Sequence, residues 1–522
     1  MSTVIRIFVA ALVANLCVSS YAQTPDINWG SLISTSEKVI DILGENGDGV
    51  YTLSLKGKEY FLSRFDSETL SRKSVKKLAV REEEGLKANI SDVLILEENI
   101  IMFTYSIDKK SKQIHLYGYL LDKDGRIKGK RKDIYSLELE NRDRLGSFFI
   151  SVSEDQSKLL VGSSLYLFKK EGGFRLVASL LSSSLEPIKQ VQQVIPAMKY
   201  RYVFISDQHV QNDGSFFLSI LEQKISMTNG LTSSIMRIVS CVPSNGFELN
   251  IQEVKIEDRL ASQVMLTSDS KGNLIGAGFY SEPTTVGMAK GRPGLAGLFY
   301  VKINPTTRQV VLSNTQKIPV EFTATVIRPE SAKNGTLISN QYVPREMYVK
   351  ENGKVVLVAE YYERIPPTSG QIGSTYIHGP VGIFGLTGGG ELEWASSIPK
   401  KQVYPGGGRF LGPGMHLLAR SSDLTSHSIL YGTGEGQVSV MFNGPTSAIS
   451  ATSSRELTME RRNDKQVPIL AVIDSKGNVD KSSIDGTEKI RLKPLVFCQV
   501  DERESLIYGT TEKGGKIGRI KF

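Results

Sequence analysis

A rhythm of short apolar runs and polar turns limits this chain more than any other feature. Residues 148–180, FFISVSEDQSKLLVGSSLYLFKKEGGFRLVASL, read as four strands at 148–153, 158–162, 165–169 and 174–180. EDQS, Ser163-Ser164 and EGG separate them. Four strands joined by tight hairpins make one antiparallel sheet, the blade of a β-propeller.

The rest of the chain repeats this unit. A first hairpin, an apolar strand followed by a strongly apolar one, recurs at 39–55, 93–105, 148–162, 203–221, 264–279, 347–361, 415–431 and 496–508. A second, more polar hairpin follows at 60–78, 114–134, 165–180, 235–254, 298–318, 381–398 and 469–484. The eighth first hairpin is followed only by a single strand, 516–522, and segment 27–33 supplies the missing fourth strand. The pattern predicts an all-β propeller of four-stranded antiparallel blades, one domain over 23–522. It has eight blades, closed as three strands plus one, because a ring that shuts leaves no free edges. Seven blades is the alternative, since the turn in 415–431 is long.

The N-terminus reads as a secretory signal peptide, residues 1–22. Arg6 is its only charge, 7–18 is almost wholly apolar, and Ser20-Tyr21-Ala22 places small residues before a cut at Gln23. The run is shorter than the ~20 residues of a membrane span, and no later segment is long and apolar enough. Leu16 before Cys17 argues against a lipid-anchored cysteine. The mature chain is therefore expected in the periplasm or outside the cell. Cys241 and Cys498 fall in different blades, which predicts two buried thiols rather than a disulfide. The net charge of +8 is mild for 522 residues. The densest basic run, 123–132, contains no aromatic, so it reads as a solvated edge strand and not as a nucleic-acid surface.

Few motifs carry chemistry. The five histidines form no HxxxH or HxxH pair, and no CxxC or GxSxG is present, so no metal, cofactor or catalytic residue is assigned. DKDG at 122–125 and DSKGN at 269–273 and 474–478 read as hairpin turns, not calcium loops. Carboxylates Asp108, Glu222, Glu282, Glu363, Glu435 and Glu512 follow second strands and read as polar loop starts. The long irregular segments, 282–297, 363–379, 443–466, 182–200, 319–345 and 399–414, all belong to one face of the ring, mainly in the second half. Long loops are more often functional than connective. The candidate ligand-binding residues on that face are Glu282, Glu360, Tyr361, Glu363, Arg364, His378, Lys400 and Gln402. Glu360 and Glu363 are expected on opposite sides of their strand, which weakens a paired-carboxylate glycosidase reading. The expected partner is a protein or a glycan, bound without catalysis. A carbohydrate-active hydrolase or lyase on the same face is the alternative, and a structural part of an envelope assembly is a third reading.

VSEDQSKLLV at 152–161 resembles the strand–turn–strand core of WD40-like repeats in TolB-type propellers. Asn28-Trp29-Gly30, Gly49-Val50-Tyr51, Glu360-Tyr361-Tyr362, Glu393-Trp394 and Ile398-Pro399-Lys400-Lys401-Gln402 are similar to segments of uncharacterised secreted propeller-like proteins of Gram-negative bacteria. That resemblance implies the fold and export, and brings no activity with it.

Overall fold

Strands dominate the chain, and most find their partners close by in sequence. A computed structural model describes residues 27–79, 85–140, 146–167, 173–197, 202–226, 230–282, 294–339, 341–350, 353–365, 374–406, 429–432, 437–457, 466–484, 489–501 and 503–521. Eight four-stranded antiparallel sheets follow one another and form an eight-bladed β-propeller. The inner strands of blades one to eight are Lys38–Asn46, Ala88–Leu96, Ser147–Val152, Tyr202–Val210, Leu260–Ser268, Tyr342–Val349, Ile429–Gly432 and Arg491–Gln499. Among the described residues no helix is long and apolar enough to cross a membrane.

No blade has a core of its own. Apolar side chains gather between blades: Tyr51 and Leu53 of blade one with Val93 and Met102 of blade two, Phe103 with Val161, Leu176 with Phe216, Leu221 with Phe299. Phe279 with Phe384, Val358 with Val440, Leu470 with Ile507, and Leu506 with Val50 complete the circle. Second strands are therefore buried on both sides, and Leu274–Ser281 is buried throughout. Two-sided burial hides the alternation that marks a half-buried strand.

The ring closes as three strands plus one. Ile27–Trp29 pairs antiparallel with Gly514–Lys521, placing Ile27 opposite Ile520 and Trp29 opposite Gly518. Ile33–Ser34 continues the pairing at Gly515 and Gly514. A Cβ on Gly518 would come within 2.8 Å of the Trp29 ring, so the glycine is what lets the indole lie on the sheet. Arg519 then ties blade eight to blade one. Its guanidinium pairs with Glu504, lies 2.9 Å from both Glu45 carboxylate oxygens, and donates to Ser67 O at 2.8 Å.

Two strand assignments differ from expectation. In blade three, Lys158–Leu167 is one continuous strand, followed by Gly173–Ser182 and Pro187–Ile195. The blade is thus longer than 148–180, and part of the expected loop 182–200 is its outer strand. Ser163 and Ser164, read as a turn, are buried in mid-strand; the Ser163 and Tyr135 hydroxyls are hydrogen-bonded to each other at 2.6 Å. Pro187–Ile195 passed for a loop because an edge strand buries only Val191 and Ile195. In blade seven the inner hairpin is Ile429–Gly432 with Val438–Pro445, not 415–431; residues 415–428 lie outside the described residues. Val438–Pro445 ends in Asn-Gly-Pro, a turn signature, yet all of it is buried.

Other expectations hold. The basic run enters Ile127–Glu138, the edge strand of blade two. Asp269 Oδ1 accepts from Lys271 N and Asn273 N, and Asp474 Oδ1 from Lys476 N and Asn478 N, so the DSKGN acids brace their own turns. Cys241 and Cys498 are both free, as expected, but only Cys241 is buried; Cys498 is half-buried, against the expected second buried thiol. Replacing Arg519 with alanine leaves Glu45 and Glu504 facing each other across the seam. The expected cost is about 2–4 kcal/mol of unfolding free energy, read from urea denaturation; an unchanged midpoint overturns the seam's role.

Candidate functional site

Connections within a blade alternate between two faces. On one face the turns are tight and stitched to one another: Glu97 N donates to Gln156 Oε1, Asp155 N to Asn212 Oδ1, and Gln211 Nε2 to Gly272 O. On the other face, blades five to seven carry a platform of inserted segments. The helix Val320–Val326 drops Phe322 between Phe384 and Tyr342, with ring centroids 4.8 and 6.3 Å away. From blade seven, Arg455 donates to Ala324 O at 3.1 Å and to Ile327 O, and Ser453 Oγ donates to Thr325 O at 3.1 Å. A guanidinium on the last carbonyls of a helix satisfies acceptors that the helix leaves open. Gly294–Leu295 pairs with Ile338–Ser339, which fixes the insertion to blade five.

Blade six rises above this platform. Its second strand, Val355–Ile365, and third, Ser374–Leu386, run on past the blade, and Gln402–Gly406 pairs with the extension from the other side. The described parts of the expected loop 363–379, residues 363–365 and 374–379, are thus strand. A register shift at Tyr361 separates Glu360 from the extension. Glu360 turns inward, where Lys400 donates to its carboxylate and Arg345 Nε lies 3.6 Å away. The Glu360 and Lys400 side chains are only 3% and 1% exposed. His378, opposite Tyr362 in register, is buried beside them. Burial, helped by the Lys400 charge and opposed by Glu360, pushes its pKa down to about 3, so the imidazole is neutral at pH 7. Burial likewise pulls the Lys400 ammonium below its ordinary range, against the pull of Glu360. Gln402 Nε2 donates to Asn443 O, and the Asn443 side chain exchanges hydrogen bonds with Leu492 N and O in blade eight.

Outward of this cluster lies an aromatic wall. Tyr362 stacks with Tyr376 at 5.9 Å and meets His378 edge-on at 5.1 Å. On the opposite side of the strand, the Tyr361 hydroxyl sits 2.9 Å from Gln341 Oε1 and 2.8 Å from Glu363 Oε2, two acceptors for one proton.

Of the eight candidate residues, the structure therefore gathers Glu360, His378, Lys400 and Gln402 into one buried network, with Tyr361 and Glu363 on the extension beside it. Glu282 stands apart, exposed and 2.7 Å from Arg259. The backbone of Arg364 pairs with Tyr376; its side chain lies outside the described residues. The carboxylates at second-strand ends act singly. Glu222 is fully buried on Arg237, and Asp108 braces Lys110 N and Ser111 Oγ. Glu435 lies outside the described residues. Among the described residues no group of three or more His, Cys, Asp or Glu is placed to hold a metal.

Sequence reasoning missed Arg345, Glu346, Asp207 and Asn443. The inner strands of blades one, two, four, five and six carry an extra residue against their partner strand at Ile40, Ser91, Ser206, Ser262 and Arg345; blade one has a second at Leu43, and blade eight has a larger irregularity between Leu492 and Phe497. Such bulges re-aim the next side chain, here Asp41, Asp92, Asp207, Gln263 and Glu346. The repeated Ile-Ser-Asp at 90–92 and 205–207 was the available signal. Ser206 Oγ donates to Val264 O, and Asp207 Oδ2 accepts from Leu266 N at 2.7 Å, joining blade four to blade five. Burial pushes Asp207 up to about 6. Glu346 is exposed on the inner strand of blade six, yet the density of protein around its carboxyl disfavours the charge. That desolvation, opposed by Arg345 and reinforced by the Asp207 charge, pushes it up to about 7.

Fold and site together define an eight-bladed propeller with a fixed platform on its loop-bearing face. No family model matches the chain, and no curated protein matches it. Solved structures similar to it include the Dos1 propeller, at 9% identity and a TM-score of 0.39 over 94% of this chain and 95% of that one. The polysaccharide lyase Uly1 is similar at 11% identity and 0.35, over 84% and 93%. The β-propeller domain of the Trilobed protease from Pyrococcus furiosus is similar at 10% identity and 0.34, over 87% and 97%. None of these overlaps is close enough to carry an activity from one chain to another.

Lys400→Ala strands the buried Glu360 charge and is expected to cost about 3–5 kcal/mol, with Glu360→Leu/Lys400→Met recovering most of it. Urea denaturation of the single and double variants tests this; a mild single-variant loss refutes the burial argument. Glu346 carries a separate pH signature. Its folded pKa lies above the unfolded one, so the folded state holds the extra proton and stability falls as pH rises from about 4 to about 7. Glu346→Gln should therefore melt higher than the parent at pH 8 and match it near pH 4. A constant offset across that range contradicts the assignment.

Proposed function

We propose that this is an exported propeller that binds a protein or a glycan through the platform over blades five to seven, without turning it over. One observation carries the reading: segments from three blades are locked together on one face by Phe322, Ser453 and Arg455, while the described turns on the other face are short. A surface built to this degree, with Tyr361, Tyr362 and Tyr376 beside it, suits recognition, because preorganised aromatic surface binds at low entropic cost. The acid and base nearest to it, Glu360 and His378, are buried and held by cations or rings, which supports binding over catalysis. The apolar leader 1–22 supports export, and the likeness to secreted Gram-negative propellers belongs with this proposal.

The alternative is a carbohydrate-active enzyme on the same face, with Glu363 and Tyr361 as its most accessible acid and hydroxyl. The two readings separate in a single set of variants. Native envelope fractions and immobilised polysaccharides are passed over the mature protein, whose first residue should be Gln23. Retention of a defined ligand that weakens by about three- to thirtyfold in Tyr362→Ala and Tyr361→Ala, with no product formed, supports binding. Product that disappears in Glu363→Gln supports the enzyme, and a blank result in both arms removes the platform reading.

A further inference from the structure

We propose that the loop-bearing face of blades eight, one and two docks on an anionic phospholipid surface. The second-to-third strand turns of these neighbouring blades, at 511–514, 56–59 and 108–113, stand at the same end of the ring. They carry six lysines, Lys56, Lys58, Lys109, Lys110, Lys112 and Lys513, all exposed. Among the described residues none of these six ammonium groups has an ion-pair partner. The acids beside them are fewer and mostly committed. Glu59 pairs with Lys77, and Asp108 accepts from Lys110 N and Ser111 Oγ, which braces its own turn. Glu512 is exposed, and the acids at 82–84, in the connection from blade one to blade two, lie outside the described residues.

Blades one and two show the opposite sign on the opposite face, where their first-to-second strand turns carry Asp48, Glu97 and Glu98. Charge is thus separated along the ring axis, and an anionic plane attracts one face while it repels the other. The lysine-bearing turns contain no arginine and no aromatic residue. Arginine forks and stacked rings are what single nucleotides or phosphates are gripped by, and a sugar acid needs a concave site. Hydrated point charges on the turn tips of three blades suit a flat, continuous surface instead, to which each lysine adds a comparable increment. Leu32 belongs to the same surface. It is 51% exposed and stands beside the blade-eight turn, 3.3 Å from where a Cβ on Gly514 would lie. An apolar side chain among cations gains by entering the headgroup layer. Docked in this way, the protein turns its platform toward the same bilayer, but neither reading needs the other.

The test is flotation of the mature protein, which lacks the apolar leader, with vesicles of phosphatidylcholine alone or mixed with phosphatidylglycerol. The protein should float with the anionic vesicles, stay behind with the neutral ones, and be released by high salt. Lys109→Gln/Lys110→Gln/Lys112→Gln should weaken vesicle binding about a hundredfold without lowering the melting temperature, and the corresponding triple arginine variant should bind as the parent does. Leu32→Ser should weaken it several-fold. Lys123→Gln/Lys128→Gln/Lys130→Gln removes the same charge from the edge of blade two and should leave binding nearly unchanged. The proposal is overturned if neutral vesicles bind equally, if the edge-strand variant loses as much as the turn variant, or if immobilised alginate, an acidic polysaccharide, retains the protein while anionic vesicles do not. None of these outcomes bears on the platform, whose ligand is captured separately.

Discussion

Every packed interface in this protein depends on one antiparallel pairing, that of Ile27–Trp29 with Gly514–Lys521. Apolar residues meet only between blades, so a blade separated from its neighbours exposes both faces of its inner strands. A ring has no ends to cap, provided that it is shut. Trp29, seated on Gly518, and Arg519, reaching Glu45, hold the first and last strands together. The seam thus supports cores that lie on the far side of the ring.

The inner strands meet a different demand. They converge on a central channel and must bend to do so, and in six blades a bulge or register irregularity supplies the bend. Each bulge also frees backbone groups that need partners. In blade five, Gln223 Nε2 and Ser234 Oγ, both from blade four, donate to Ala261 O. In blade six the extra residue is Arg345, and its charge faces Glu360. One local irregularity therefore places Glu346 on the channel and Arg345 in the buried network behind the platform. Ion pairs buried this deeply are weak devices for stability. Here they fix the geometry of the strands that carry the tyrosines.

Much of this was legible in the chain. Turn residues recur at regular spacing, and the two-sided burial of second strands leaves apolar runs such as Val355–Val358 that stand out plainly. The orphan strand at 516–522 and the lone one at 27–33 announced the closure. Failures came where polarity misreported position. Ser163, Ser164 and Asn443 are polar yet buried; the Tyr135 hydroxyl satisfies Ser163 and the Leu492 backbone satisfies the Asn443 side chain, each from a neighbouring blade. Pro187–Ile195 is an edge strand that looks like a loop. Four of the candidate residues, Glu360, His378, Lys400 and Gln402, are brought together by the extended strands of blade six and the segment that follows them. Arg345 and Asn443 escaped because they are contributed by other strands and have no local signature.

The seam has a consequence for the order in which the molecule forms. A chain made from its N-terminus produces Ile27–Trp29 first and its partner Gly514–Lys521 last. The entropic cost of bringing such distant segments together grows only with the logarithm of their separation, so the obstacle is one of timing. Seven blades have to dock in sequence while the earliest strand waits unpaired, its edge open to other chains. The final hairpin is then a lock, and interruption of synthesis before residue 514 leaves an open arc with two unsatisfied sides.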